Sequence, residues 1–270
     1  NVADKESGGI TQHIGASYVA HGKQHITFID TPGHEAFTKI RSRGSHVTDI
    51  VVICIAADDG IKDQTVEAIN HAKAANVPII IAVNKIDKEG ANPEKIYDGL
   101  LAHEIIVEQR SGEILAVEIS AKDNKNIDKL LEAILLQAEM LDLKVNFAGK
   151  AKGTVLEARV DKNKGIIATV LIQRGTLRQS DIVLAGFTMG RARALINDLG
   201  NKILEATPSM PVELWGLESV PEAGALMHVV DSDKVAREIA GFRSSKKKDL
   251  LVASNSKKSM EDVFADMSLS

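Results

Sequence analysis

One cysteine, Cys54, occurs in 270 residues, so no disulfide can form within the chain. No apolar run reaches the roughly 18 residues that a membrane helix needs, and no signal-peptide pattern opens the sequence. Nor is there an excess of positive charge. Lys and Arg number 33 against 37 Asp and Glu, a net charge of -4. These shortages argue against a disulfide scaffold and a helical membrane protein. They leave no overall electrostatic pull toward nucleic acid, so any RNA contact must come from local patches or from shape. Cys54 lies in the apolar run VVICIAA and reads as a small buried hydrophobe, in keeping with a reducing cytoplasm. The first residue is Asn1 rather than Met, which suggests a piece of something longer.

At 270 residues, 44% hydrophobic and 26% charged, the chain has enough material for two cores. From residue 24 to 142, short apolar runs alternate with amphipathic segments. The runs are HITFID (25–30), IVVICIAA (50–57), PIIIAV (78–83) and ILAVEIS (114–120). Two are almost continuously apolar, which predicts strands covered on both faces, as in a parallel sheet flanked by helices. The stripe Ile127, Leu130, Leu131, Ile134, Leu135, Ala138 and Leu141 predicts a helix, with Asn126 as its N-cap. The expected fold of this part is a doubly wound α/β sheet, whose ligands sit at the carboxyl ends of its strands. Beyond residue 150 the pattern changes. GTVLEARV, GIIATVLIQRG, DIVLAG, RARALIN, PVELWGL and ALMHVV are short, evenly spaced and separated by turn signals, which predicts an antiparallel β-barrel. The expected domains are 1–147, 148–232 and a connecting helix in 233–270. FAGKAK (147–152) reads as the linker, and the helix, with its lysines, reads as exposed.

Three segments carry chemistry. Asp30-Thr31-Pro32-Gly33-His34 ends the first run. A carboxylate there can hold Mg²⁺ through water, and Gly33 lets a backbone N–H approach a phosphate oxygen. Taken alone this is also an ordinary strand followed by a Pro-Gly turn. Asn84-Lys85-Ile86-Asp87 follows the PIIIAV run directly. Guanine presents two donors on one edge, N1–H and the 2-amine, and Asp87 can accept both. The Asn84 amide can reach acceptors and brace neighbouring loops, while the aliphatic stem of Lys85 can lie against the base with its charge in water. Such a match arises by chance in a chain this long roughly once in thirty, and its place after a buried strand is rarer still. Ser120-Ala121-Lys122 ends the next run, where backbone N–H groups could meet guanine O6. The histidines at 13, 21, 25, 46, 71 and 103 show no convincing metal-ligand spacing. Trp215 reads as barrel packing.

The order and spacing of these segments resemble the GTPase superfamily. GGITQHIG (8–15) looks like the first switch of bacterial translation initiation factor 2, and DTPGHEAF like its second. TDIVVICIAADDG and QTVEAINHAKAANVPIIIAVNKID continue in the same register, and QRGTLRQSDIVLAG and PSMPVELWGL resemble the second domain of that family. The resemblance implies a GTP-binding, GTP-hydrolysing factor that helps to place initiator tRNA and join ribosomal subunits. Thr11 would bind Mg²⁺ and contact the γ-phosphate, Asp30 would hold Mg²⁺ through water, and Gly33 would donate its N–H to the γ-phosphate. His34 would orient the attacking water, and Asn84, Lys85, Asp87, Ser120, Ala121 and Lys122 would hold the base. Implied ligands are GTP, GDP and Mg²⁺; implied partners are both ribosomal subunits, with initiator tRNA reached through further domains. The implied location is the cytoplasm, with no membrane or DNA partner.

One departure is large. No G-x-x-x-x-G-K-[ST] occurs, although that loop supplies most phosphate binding in such enzymes. In the family it precedes GGITQHIG, so it is expected to lie ahead of Asn1, leaving an apolar sheet edge open. Lys62-Asp63 and HEIIVEQRSGEI differ from the family in loops away from the nucleotide. Two hypotheses therefore stand: a GTPase, or a nucleotide-free module that touches the ribosome through its barrel and switch surfaces.

Overall fold

The computed structural model describes residues 15–22, 24–31 and 47–247. The expectations for Thr11, Gly33 and His34 fall outside the described residues. The chain divides into two compact units, Asn1–Lys144 and Val145–Ser270.

The first unit opens with a hairpin of β1 (Gly15–His21) and β2 (Gln24–Asp30), paired antiparallel from Gly15↔Asp30 to His21↔Gln24. The sequence pattern placed HITFID in the parallel sheet. Instead β2 pairs with β1, because a two-residue connection can only return the chain antiparallel. β1 itself was not foreseen, since ASYVAH has too little apolar alternation to announce a strand.

The parallel sheet is ordered β3 (Val51–Ala56), β4 (Ile79–Asn84), β5 (Ala116–Glu118). Helices α1 (Asp63–Ala74), α2 (Pro93–Leu101) and α3 (Ile127–Met140) connect and flank it. β4 is central and its Ile79, Ile80, Ile81, Ala82 and Val83 are all buried. Side chains alternate across a strand. Ile81 and Val83 join Ile53 and Ile55, Ile69 and Ala72 of α1, and Ile96, Tyr97 and Leu100 of α2 in one core. Ile80 and Ala82 take the other face, where α3 packs on β4 and β5. Each fully buried isoleucine contributes about 2 kcal/mol of burial.

Two local expectations need correction. Cys54 is exposed rather than buried. It alternates with Ile53 and Ile55, and so stands on the sheet face opposite the core that they fill. Its surroundings are still crowded enough that burial, aided by the charge of Asp30, raises its thiol pKa. Asn126 holds the N-cap position of α3 as expected, but its side chain makes no cap hydrogen bond. It adopts a left-handed backbone, with φ 58°, and its side chain donates to the Glu118 carbonyl at 2.8 Å. Asn92 does cap α2, accepting from the Lys95 N–H at 3.1 Å ahead of Pro93 in the first turn.

The second unit is a barrel of six antiparallel strands: β6 (Lys152–Asp161), β7 (Gly165–Arg174), β9 (Ile182–Ala185), β10 (Thr188–Ile196), β13 (Pro211–Leu217) and β14 (Leu226–Val230). The order β10-β13-β7-β6-β14-β9 closes because β9 also pairs with β10. Short strands β8 (Leu177–Arg178), β11 (Lys202–Ile203) and β12 (Glu205–Ala206) decorate it. Val155, Val170, Ile172, Val183, Leu195, Val212, Leu214 and Met227 fill its interior. On β10 exposed Arg191 and Arg193 alternate with buried Ala192 and Ala194, the period of a strand with one wet face. Trp215 packs on the outside, half buried, with the Lys164 ammonium 4.7 Å from its ring centre. A helix over residues 233–247, here α4, follows. It does not stand clear in solvent as the sequence suggested. Ala236 and Ala240 are buried against Leu184 and Met189, because small residues one turn apart let the helix lie close to the barrel. No described helix is long and apolar enough to cross a membrane.

Candidate functional site

The chain leaves β4 at Asn84 and β5 two residues before Ser120, so both motif loops emerge at the carboxyl edge of the parallel sheet. Backbone bonds align them. Ile119 N–H donates to the Val83 carbonyl at 2.8 Å, and Ala57 N–H, after β3, donates to the Asn84 carbonyl at 2.7 Å.

Side chains then lock the loops together. Asn84 Oδ1 accepts from its neighbour Lys85 N–H at 2.7 Å and from Ala121 N–H at 3.1 Å, so one amide braces both loops. Lys85 holds a left-handed backbone, with φ 63°, a conformation that a lysine rarely adopts without such support. Ser120 is fully buried, and its hydroxyl donates to Asp87 Oδ1 at 2.6 Å while accepting from Asp123 N–H at 3.1 Å. That hydrogen bond, helped more weakly by the charges of Lys122 and Lys88, holds the Asp87 carboxyl below the usual carboxylate range. Asp87 is therefore an exposed, ionised acceptor with a fixed direction. Behind the loops, buried Tyr97 donates from its hydroxyl to Glu118 Oε1 at 3.0 Å, tying α2 to β5. Burial, then that hydrogen bond, raises the phenol pKa far above its ordinary value.

The structure thus brings together Asn84, Lys85, Asp87, Ser120, Ala121 and Lys122. Asp30 lies apart from them in sequence and sheet, at the exposed end of the β2 hairpin. The Ser120 N–H donates to the Lys125 carbonyl at 3.1 Å and the Ala121 N–H to Asn84 Oδ1 at 3.1 Å, bonds that set the loop's shape. Sequence reasoning also missed three residues. Asp58 and Asp59, after β3, face Lys85 Nζ at 3.7 Å each, and Lys88 Nζ lies 2.6 Å from Asp58. Their signal was the pair of carboxylates in ADDG at a strand's carboxyl end.

The arrangement suits a heteroaromatic ring that offers paired donors. A carboxylate is exposed with its charge stabilised, an amide stands in the same loop, and the lysine between them has its ammonium near Asp58 and Asp59. The residues present fit the base end of a guanine nucleotide. For the phosphate and Mg²⁺ end, Asp30 is the one proposed ligand among the described residues.

Comparisons with known proteins bear on this geometry. Residues 1–140 match the family described as the elongation factor Tu GTP binding domain, and residues 150–230 match elongation factor G domain 2. The chain is 54% identical over 269 residues to translation initiation factor IF-2 of Rhizobium etli, covering 99% of this chain and 29% of that protein. For the factor of the same name from Brucella ovis the identity is 53% over 272 residues, with coverages of 100% and 28%. The chain thus spans under a third of the length of these curated relatives. Among solved structures, GDP-bound aIF5B from Aeropyrum pernix matches with a TM-score of 0.69 at 26% identity, covering 92% of this chain and 53% of that one. The elongation factor SelB from Methanococcus maripaludis, in complex with the GTP analogue GPPNHP, gives a TM-score of 0.65 at 21% identity. It covers 82% and 50% of the two chains, a likeness of fold alone.

Proposed function

The chain belongs to the translational GTPases, in the family of the elongation factor Tu GTP-binding domain, and from that premise we propose that it is the GTP-binding and barrel portion of a translation initiation factor. The observation that carries the reading is the fixed triad of Asn84, Asp87 and Ser120 at the sheet's carboxyl edge. Its chemistry selects guanine: Asp87 accepts N1–H and the 2-amine, donors that adenine does not offer in that pattern. The identity to IF-2 along the whole chain supports the role in initiation. The proposed partners are the two ribosomal subunits, with initiator tRNA reached through other domains of the longer protein, and the proposed location is the cytoplasm. The proposed domains remain 1–147, 148–232 and 233–270.

Thr11, Asp30, Gly33 and His34 are proposed for the phosphate end. Thr11 and Asp30 would hold Mg²⁺, the latter through water; Gly33 would donate its N–H to the γ-phosphate; and His34 would orient the water. Bound Mg²⁺ neutralises charge that develops on the phosphoryl oxygens, and phosphoryl transfer otherwise needs positioning more than covalent help.

A second reading has one observation in its favour. The 270 residues contain no G-x-x-x-x-G-K-[ST], so the same fold could serve as a nucleotide-free ribosome-binding module. The readings separate on titrating fluorescent GDP and GTP, with Mg²⁺, into this chain and into a version preceded by the corresponding upstream segment of the Rhizobium etli factor. Binding strengthened by that segment, and hydrolysis stimulated by ribosomes, are expected of the GTPase. Failure of both folded proteins to bind would leave the module.

A further inference from the structure

We propose that Asp58 is a positioning residue for base recognition, holding the Lys85 side chain extended as a wall of the base site; this rests on the guanine-nucleotide reading above. The turn after β3 is itself fixed. Asp59 and Gly60 N–H groups donate to the Ala56 carbonyl at 3.2 and 3.0 Å, and Asn92 N–H donates to the Ala57 carbonyl at 3.1 Å. The Asp58 side chain is only 23% exposed. One of its oxygens accepts from Lys88 Nζ at 2.6 Å, and the other faces Lys85 Nζ at 3.7 Å. Asp59 stands at the same distance from Lys85 but is twice as exposed and is shared with Lys62 at 3.1 Å. The hydrogen bond from Lys88, followed by weaker effects, keeps Asp58 ionised below the usual carboxylate range.

Lys85 is therefore held at both ends. Its backbone N–H is fixed by Asn84 Oδ1, and its ammonium is drawn across to the β3 turn. A lysine side chain free in solvent samples many rotamers and loses that freedom when a base packs on it. Asp58 removes part of that freedom before the ligand arrives, a preorganisation that favours binding. A stem lying on the ring reads the face of the base and not its edge. The effect of Asp58 is therefore equal for guanine and hypoxanthine, whereas Asp87 discriminates between them.

The test is a titration of the chain preceded by the upstream segment described above, taken as the parent, with GDP and IDP in the presence of Mg²⁺, following the backbone amide shifts of Asp87 and Ala121. Asp58→Asn is expected to weaken both ligands about threefold to fivefold, the scale of one exposed ion pair. The ratio of GDP to IDP affinity should stay unchanged, and Asp58→Glu should restore most of the loss. In a Lys85→Met background, which keeps the stem and removes the charge, Asp58→Asn should add nothing. Unchanged binding by Asp58→Asn, or the same loss in the Lys85→Met background, overturns the proposal while leaving the guanine reading intact. If neither this parent nor the 270-residue chain shows shifts with GDP, the guanine reading falls and takes the proposal with it.

Discussion

The two units put their unusual positions to opposite uses. At the carboxyl edge of the parallel sheet, side chains hold irregular backbone in place: Asn84 spans two loops, Ser120 holds Asp87, and Lys85 keeps a left-handed conformation between them. In the barrel, backbones meet where side chains are missing. A Cβ on Gly190 would come 2.3 Å from the Gly216 carbonyl oxygen, and one on Gly216 would come 2.2 Å from that of Arg191. Gly216 also has φ 115°, which side-chain-bearing residues rarely adopt, and β10 slips register on β13 between Gly190 and Ala194. On the proposed reading, polar specification at the sheet edge serves a ligand, while steric specification in the barrel serves closure. Changes at the first should cost binding more than stability, and changes at the second the reverse.

The largest expected effect tests the barrel side. Gly216→Ala should destabilise that unit by about 3 kcal/mol, through a backbone clash and a strained φ, in urea unfolding followed by Trp215 fluorescence. GDP-induced shifts at Asp87 should persist, and their loss would break the comparison. Ser120→Ala is the counterpart. It should weaken GDP about tenfold by leaving Asp87 without its donor, yet lower the melting temperature less than Gly216→Ala does.

Acid should separate the units as well. Burial, then the charges of Lys152 and Arg243, lowers the His228 pKa from 6.5. The unfolded chain then binds the proton more readily, so barrel stability falls as pH drops below about 6.5 and levels off below the lowered value. His228→Gln should flatten the barrel's unfolding midpoint over that range. Asp87 is depressed from 3.8, so its contribution persists above about pH 4 and is lost as pH falls through its lower folded value. The smallest effect is expected where α4 meets the barrel. Asp233→Asn removes a half-exposed pair with Arg191 at 2.9 Å and should shift stability by at most about 0.5 kcal/mol.

The strands were legible because burial imposes a pattern. PIIIAV became a central strand, and GTVLEARV, GIIATVLIQRG and PVELWGL fall on β6, β7 and β13. NKID and SAK were placed at strand ends by the same logic. What stayed hidden depends on partners distant in sequence. Whether Cys54 is covered depends on what packs on the face of β3 opposite Ile53 and Ile55, and whether the Asn126 side chain bonds its own helix depends on the nearby Glu118 carbonyl. Ala236 and Ala240 look neutral until the barrel surface beneath them is known. The ties from Asp58 and Asp59 to Lys85 bridge 27 and 26 positions, and no local pattern announces them.

The most direct test of guanine recognition is a change of one atom pair at Asp87. Asn in its place keeps one acceptor and gains one donor, which complements xanthine, where a carbonyl replaces the 2-amine. GDP and XDP should be titrated against the parent, the chain preceded by the upstream segment, and its Asp87→Asn variant. The account predicts that the parent prefers GDP and the variant prefers XDP. A variant that binds neither differently from the parent, or a parent indifferent to the two bases, would contradict it.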